Sequence, residues 1–505
     1  MRPGVESDLR EARRRLAELS ALEEVLGLLG WDQEVMMPSG AALARGRQVA
    51  TVALVHHQRL VDPEHGALLS RLADADLEPI DAANVALARR DHLRATRVPA
   101  DLVERWSEAT VAGVEVWVRA REAGDFSAFA PALAELVDLA RARARAIDPD
   151  RPAYEVLVDE HEPGITVAEL DRHFAALGRF CAPAIAAVRE APRLEHDPRL
   201  TEPVPADRQE AIARELMALL GFDRSRGRLD RAVHPFCGGA GPSDVRITAR
   251  YAERDLLDGL LAVIHETGHA LYELGRDLDR AAEPVSRPRS AGWHESQSLF
   301  YERQVAGSPE FCGFLAAWLG ERLPHLRGLS GDDLRRALAR VDPDNQIRTA
   351  ADPLTYPMHV ILRHDLEKGL LGGTLAARDL PTAWNEGARR LLGAAPKDDR
   401  EGVLQDIHWS SGAFGYFPSY VLGAMLAAQL HQAALRALPA LPAALARGET
   451  AELRAWLGRE IHVQGSRLPS DALCRRATGA PLGPEALCAD LGARLRFAYG
   501  IEVSA

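Results

Sequence analysis

The sequence predicts a mostly α-helical protein, a single large helical domain over residues 1–505, with one small antiparallel sheet packed near a buried helix. Three observations carry this expectation. Apolar residues recur at helical spacing along almost the whole chain. Pro, Gly and Asp clusters punctuate these patterns, with no repeat, low-complexity segment or long linker between them. Only one stretch sets β-branched residues at alternate positions.

Ser7 is a fair N-cap. Leu9, Leu16, Leu19, Val25, Leu26 and Leu29 follow at helical spacing, and Gly30 to Pro38 end that element. Helical patterns follow at 41–75, 82–93, 100–122 and 127–147, the last stopped by Asp148-Pro-Asp-Arg-Pro152. Arg13, Arg14 and Arg15 read as a solvated face. Thr166-Val-Ala-Glu169 is a capping box that opens a helix running to about residue 190. A helix from Asp207 to Leu220 stops at Gly221, a C′ glycine. Arg231–Phe236 and Asp244–Tyr251 then predict a hairpin around Cys237-Gly-Gly-Ala-Gly-Pro-Ser243. No Gly-Lys-Ser/Thr follows, so the glycines do not form a phosphate loop. Helices are expected again at 260–274, at 293–305 with Gly307 as the stop, and at 309–320, 332–341, 354–370, 382–392, 417–437, 451–461 and 484–496.

Composition bounds the function. With 47% hydrophobic and 27% charged residues the chain can build a large core. A formal net charge of -12, with both signs interspersed, argues against a nucleic-acid partner. No run approaches the roughly 18 apolar residues of a membrane span, and the first residues lack a secretory h-region. Five cysteines, Cys181, Cys237, Cys312, Cys474 and Cys488, never form a C-x-x-C pair. A disulfide framework or thiolate zinc site is not expected, and a reducing, cytoplasmic setting is.

The stretch that carries chemistry is Leu260 to Leu274, which contains His265-Glu-Thr-Gly-His269. On a helix, residues four apart share a face with roughly 6 Å between their Cβ atoms, so two imidazoles can grip one metal ion from the same side. Glu266 points to an adjacent edge, where it can reach a metal-activated water without being a ligand. Histidines and a glutamate are expensive in so apolar a helix unless something binds them. A catalytic zinc site wants a third protein ligand. Glu295, 26 residues on and placed on the next helix, is the best candidate, while spacing alone leaves Glu273, Glu283 and Asp279 open.

The chain also resembles the thermostable, Taq-type metallocarboxypeptidase family, through motifs that occur in the family's order. They are Asp244-Val-Arg246-Ile-Thr248, His265 to His269, His294-Glu295-Ser-Gln297, Ile347-Arg348-Thr-Ala-Ala-Asp352, and Gly402-Val-Leu-Gln405-Asp406-Ile-His408-Trp409. Trp31-Asp-Gln33 and Met36-Met-Pro38 look like the family's N-terminal region. Two segments depart from the pattern. After Gln297-Ser298 the family reads Arg-Leu-Trp-Glu-Asn, whereas this chain has Leu299-Phe-Tyr-Glu-Arg303, and Ser286 to Trp293 is also unusual.

The resemblance implies a helical fold with a deep groove, a homodimer, and a broad-specificity carboxypeptidase acting on peptides with a free C-terminus. It makes His265, His269 and Glu295 the ligands of Zn2+, with Co2+ or Mn2+ also accepted, and Glu266 the general base. His408 and Tyr420 are the candidate oxyanion donors. Arg348 is the candidate clamp for the terminal carboxylate, with Arg246, Gln405 and Tyr416 as helpers. Arg246 with Asp244 reads equally as a structural ion pair, and a local Arg348–Asp352 salt bridge is the lesser alternative to the clamp. His294 reads as a residue behind the ligands, and His234 and His359 carry no assignment. Two other readings stand beside this one: an oligopeptidase or dipeptidyl carboxypeptidase, and a non-catalytic metal-stabilised peptide-binding scaffold.

Overall fold

Proline and aspartate divide the N-terminal helical pattern more finely than its period shows. In the computed structural model, which describes residues 3–503, the 41–75 pattern is two helices, Ala42–Leu60 and Pro63–Ala73. Asp62 makes the break: its carboxylate accepts from Glu64 N, and Pro63 occupies the first helical position, where its missing N–H costs nothing. The first helix runs Pro3–Val35, so Ser7 lies inside it, and its end falls within the expected Gly30–Pro38 stretch. The Pro79–Arg97, Ala100–Ala123 and Ala130–Ile147 helices follow. The capping box at Thr166 opens Val167–Glu190 as expected, and Gly221 closes Ala206–Leu220 at φ 98°. Three short helices have no counterpart in the sequence reading: Ala153–His161, Leu441–Leu445 and Ser470–Thr478. Among the described residues 69% are helical, in 20 α-helices together with short 3-10 and π-helical stretches. Among the described residues, no helix is long and apolar enough to cross a membrane.

The sheet differs from the expected hairpin. It is mixed, with strands β1 (Gly227–Arg231), β2 (Cys237–Gly239) and β3 (Val245–Ala249) in the order β1-β3-β2. β2 and β3 form the antiparallel pair, Cys237 opposite Ile247. β1 joins β3 in parallel, Gly227 opposite Val245. The predicted strand Arg231–Phe236 therefore contributes only its first residue, and the glycine-rich connection supplies the middle strand of the sequence.

This sheet positions the helix that carries the histidines. Leu256–Leu274 presents three faces. Val263, Ala270 and Leu274 pack with Leu229, Val245 and Ile247 of the sheet and with Ala213 and Met217 of the Ala206–Leu220 helix. Leu256, Leu260, Ile264 and Leu271 enter the main core. His265 and His269 occupy the third face. Asp255 caps the helix by accepting from Asp258 N, a contact worth about 1 kcal/mol. The expected 293–305 helix is instead an α-helix, Ala291–Leu299, continued by a π-helical stretch, Phe300–Val305. Such wide turns concentrate at functional sites.

Candidate metal centre

His265, His269 and Glu295 come together at one point. Each offers one ligand atom, and the three atoms lie within 4.8 Å of one another. Glu295 Oε2 stands 3.8 Å from His265 Nε2 and 3.5 Å from His269 Nε2. Two ligands about 2.1 Å from a tetrahedral centre are about 3.4 Å apart, so the spacing suits a small divalent cation. The alternatives left open by spacing are engaged elsewhere. Glu273 binds His294 Nε2 at 2.9 Å and Arg276 at 2.7 Å, Glu283 pairs with Arg280, and Asp279 is exposed.

Close backbone packing holds the two ligand helices in register. A Cβ on Gly268 would lie 2.4 Å from the Gln297 carbonyl oxygen and 2.7 Å from Ser298 Cα. On the other side of the Glu295 helix, a Cβ on Gly423 of the Pro418–Ala437 helix would lie 2.7 Å from Glu295 Cβ and Cγ. Gly268→Ala is therefore expected to force the ligand helices apart. It should cost about 1–3 kcal/mol of stability and weaken metal retention after dialysis. A variant that keeps full metal content and an unchanged melting temperature refutes this.

The surroundings favour positive charge at that point. His265 Nδ1 donates to Glu302 Oε2 at 2.7 Å, which leaves Nε2 facing Glu295. Burial alone would depress the His265 imidazole, but Glu295 and Glu302 outweigh it and raise the group to about 9. A divalent cation answers the same demand by displacing that proton. Burial, then His294, holds His269 at about 4, neutral and able to ligate. Its ring stacks on His294 at 4.4 Å, and its Nδ1 has no hydrogen-bond partner. Glu266 is buried, with Oε2 also unpartnered, and burial pushes its carboxyl up to about 7. An orphaned carboxylate oxygen costs stability and in a folded protein calls for an explanation. The donor set and its environment fit a metal ion.

The other predicted residues divide into two groups. His408, Tyr416, Tyr420 and Arg348 cluster together. His408 Nε2 lies 3.1 Å from the Tyr420 hydroxyl, the Tyr416 and Tyr420 rings are 5.2 Å apart, and Arg348 Cζ sits 4.9 Å over the Tyr420 ring. Burial keeps His408 at about 4, hence neutral. Tyr420 is three residues before Gly423 on one helix, so this cluster and Glu295 share a contact. Arg348 does not pair with Asp352. Its Nε binds Asp406 Oδ1 at 2.9 Å, Asp406 also binds Arg363 Nε at 2.8 Å, and Asp352 instead caps Leu354 and Thr355.

Gln405 and Arg246 are engaged by other groups of the protein. Gln405 spends its side chain on the backbone, accepting from Arg348 N and donating to Gln346 O and Glu401 O. Arg246 is held by two hydrogen bonds to Asp244, at 2.9 and 2.7 Å, and lies 4.3 Å over the Trp31 ring. Its geometry is that of the structural ion pair. His359 is buried with neither ring nitrogen partnered, and His294 lies behind His269 as expected. Sequence reading did not single out Glu302 or Asp406. Glu302 follows Glu295 by two helical turns, a spacing that could have flagged it.

A helical protein whose histidine pair, following glutamate and distant third carboxylate gather in this way belongs to the class of helical metallopeptidases. Comparison with known proteins narrows the class: over residues 11–495 the chain matches, and it belongs to, the carboxypeptidase Taq (M32) metallopeptidase family. It is 35% identical over 506 residues to thermostable carboxypeptidase 1 of Thermus thermophilus, covering 98% of each chain. Among solved structures it is similar to the M32 carboxypeptidase of Deinococcus radiodurans, with TM-score 0.94, 35% identity, and 98% and 100% of the two chains covered. It is also similar to metallocarboxypeptidase 1 of Trypanosoma cruzi, with TM-score 0.91, 37% identity, and 97% and 99% covered.

Proposed function

We propose that this enzyme removes residues one at a time from the free C-terminus of peptides, with broad specificity, at a metal held by His265, His269 and Glu295. The observation that carries the reading is the convergence of those three donors beside the unpartnered Glu266 oxygen. Zn2+ suits the set, and Co2+ or Mn2+ are also compatible with it. When bound, such an ion supplies Lewis acidity, making water more acidic and polarising a carbonyl. Glu266 accepts a proton from the attacking water at Oε2 and delivers it to the leaving amine nitrogen. With His408 Nε2–H donating to the Tyr420 oxygen, the Tyr420 hydroxyl hydrogen is free to stabilise the oxyanion. Asp406 holds Arg348 through Nε, which leaves the two Nη nitrogens for a substrate carboxylate. Tyr416 walls the same cluster, and Gln405 and Arg246 act indirectly, through the backbone and through the central strand of the sheet.

The reading treats residues 1–505 as one catalytic domain, with a substrate groove over the metal helix, acting as a homodimer in the cytoplasm on peptides rather than nucleic acids. Cys181, Cys312, Cys474 and Cys488 are buried free thiols and Cys237 is half-buried and free, which supports a reducing setting.

A pair of peptides that differ only in a free or amidated C-terminus tests the activity. The free form should be cleaved and the amidated form should resist, because Arg348 has no carboxylate to bind. Equal cleavage of both sinks the exopeptidase reading. Product mass then separates release of single residues from release of dipeptides.

A further inference from the structure

Arg303, in the π-helical stretch Phe300–Val305, is a largely buried cation with no strong partner. Its side chain is only 12% exposed. Its Nε makes no hydrogen bond, and the nearest carboxylate oxygen, Glu302 Oε1, is 3.6 Å away. The other Glu302 oxygen is taken by His265. Among the described residues no acceptor engages the Arg303 Nη nitrogens, which, unlike Nε, are not sealed from solvent. A single long ion pair to Glu302 compensates a buried guanidinium poorly, so its solvent-facing nitrogens keep hydrogen-bonding capacity for an anion from outside the chain.

The neighbours indicate which anion. Arg303 Cζ lies 4.9 Å from the centroid of the Tyr356 ring. That ring is 6.2 Å from the Tyr420 ring, over which Arg348 sits at 4.9 Å. Two guanidiniums thus flank one tyrosine pair beside the metal centre. One is aligned by Asp406, and the other is left without a matched carboxylate. The tyrosine pair also supplies apolar ring surface for the carbon atoms of a bound residue between them.

We propose that Arg303 is a specificity determinant that receives the side-chain carboxylate of a C-terminal Asp or Glu, while Arg348 takes the terminal carboxylate. The proposal rests on the carboxypeptidase reading above. Planar guanidinium matches carboxylate in two parallel hydrogen bonds, which a lysine cannot reproduce.

The test uses matched peptides ending in Glu, Asp, Gln and Leu, with the metal-loaded wild-type enzyme and the variants Arg303→Gln and Arg303→Lys. Arg303→Gln should lower kcat/KM for the acidic peptides about tenfold or more, through KM. The Gln and Leu peptides should change little. Arg303→Lys should recover part of the acidic preference, because it keeps the charge and loses the fork. A uniform loss on all four peptides would show that Arg303 only balances Glu302, and the proposal falls. An unchanged Glu-to-Gln ratio in a folded variant also overturns it. Failure of the wild type on every peptide would sink the carboxypeptidase reading first, and the proposal with it.

Discussion

Glu266→Gln is expected to retain the fold and the metal and to lower kcat by about 10²–10⁴-fold, the range for loss of a general acid–base group. The substitution is nearly isosteric, and Glu266 is not among the three converging donors. It removes only the ability of Oε2 to accept and return a proton. Because substrate binding falls to other residues, KM should hardly move, and kcat and kcat/KM should fall together. Glu295→Ala is the matched control: metal content should drop while the helices remain. Peptide hydrolysis at wild-type rate by Glu266→Gln, with the metal confirmed, would refute the assigned mechanism.

Asp406→Asn is expected to damage both stability and substrate binding. Asp406 is buried between two guanidiniums, bound to Arg348 Nε at 2.9 Å and to Arg363 Nε at 2.8 Å, and Arg363 itself is fully buried. Removing its charge leaves two buried cations facing each other, which costs about 3–5 kcal/mol in comparable buried pairs. It also releases Arg348 from the Asp406 contact that fixes its guanidinium, so KM should rise far more than kcat falls. Arg363 and Arg348 overcome the effect of burial and hold the Asp406 carboxyl well below the usual range. The sign follows from that depression. Its stabilising contribution is full at neutral pH, lies above the unfolded value of about 3.9, and is lost only as the pH drops through the acid range. The wild type should therefore lose stability on acidification below about pH 4 more steeply than Asp406→Asn. Thermal unfolding of both proteins across that range checks it, and parallel curves would refute it.

Local signals in the sequence transferred well to the structure. The capping box at Thr166, the stop at Gly221 and the His265–His269 face all depend on residues three to five apart, where helix geometry decides. The Asp62–Pro63 break was also local, yet the apolar period on both sides masked it. The parallel pairing of β1 with β3 spans residues that no alternation pattern connects, and β2 is three residues, two of them glycine. Binary patterning has nothing to detect in such a strand. In the site, Glu295 was within reach of spacing because it lies on the next α-helix of the chain. Asp406 was not, because the partner that spacing offered Arg348 was Asp352, four residues away, and the real one lies 58 residues on. Packing of distant helices chose between them. Arg246 shows the reverse case, where the nearest acidic residue is the true partner.

The two glycine contacts around Glu295 bear on how this enzyme can diverge. Gly268 and Gly423 let one helix be gripped from both sides at backbone distance, so the ligand triangle depends little on the shape of neighbouring side chains. Just beyond, Glu302 is tied to His265 and Leu299, Phe300 and Tyr301 are core residues, so Arg303 is the position there that can change without dislodging it. Substrate preference can then evolve along the wide turn while the hydrolytic apparatus stays as inherited.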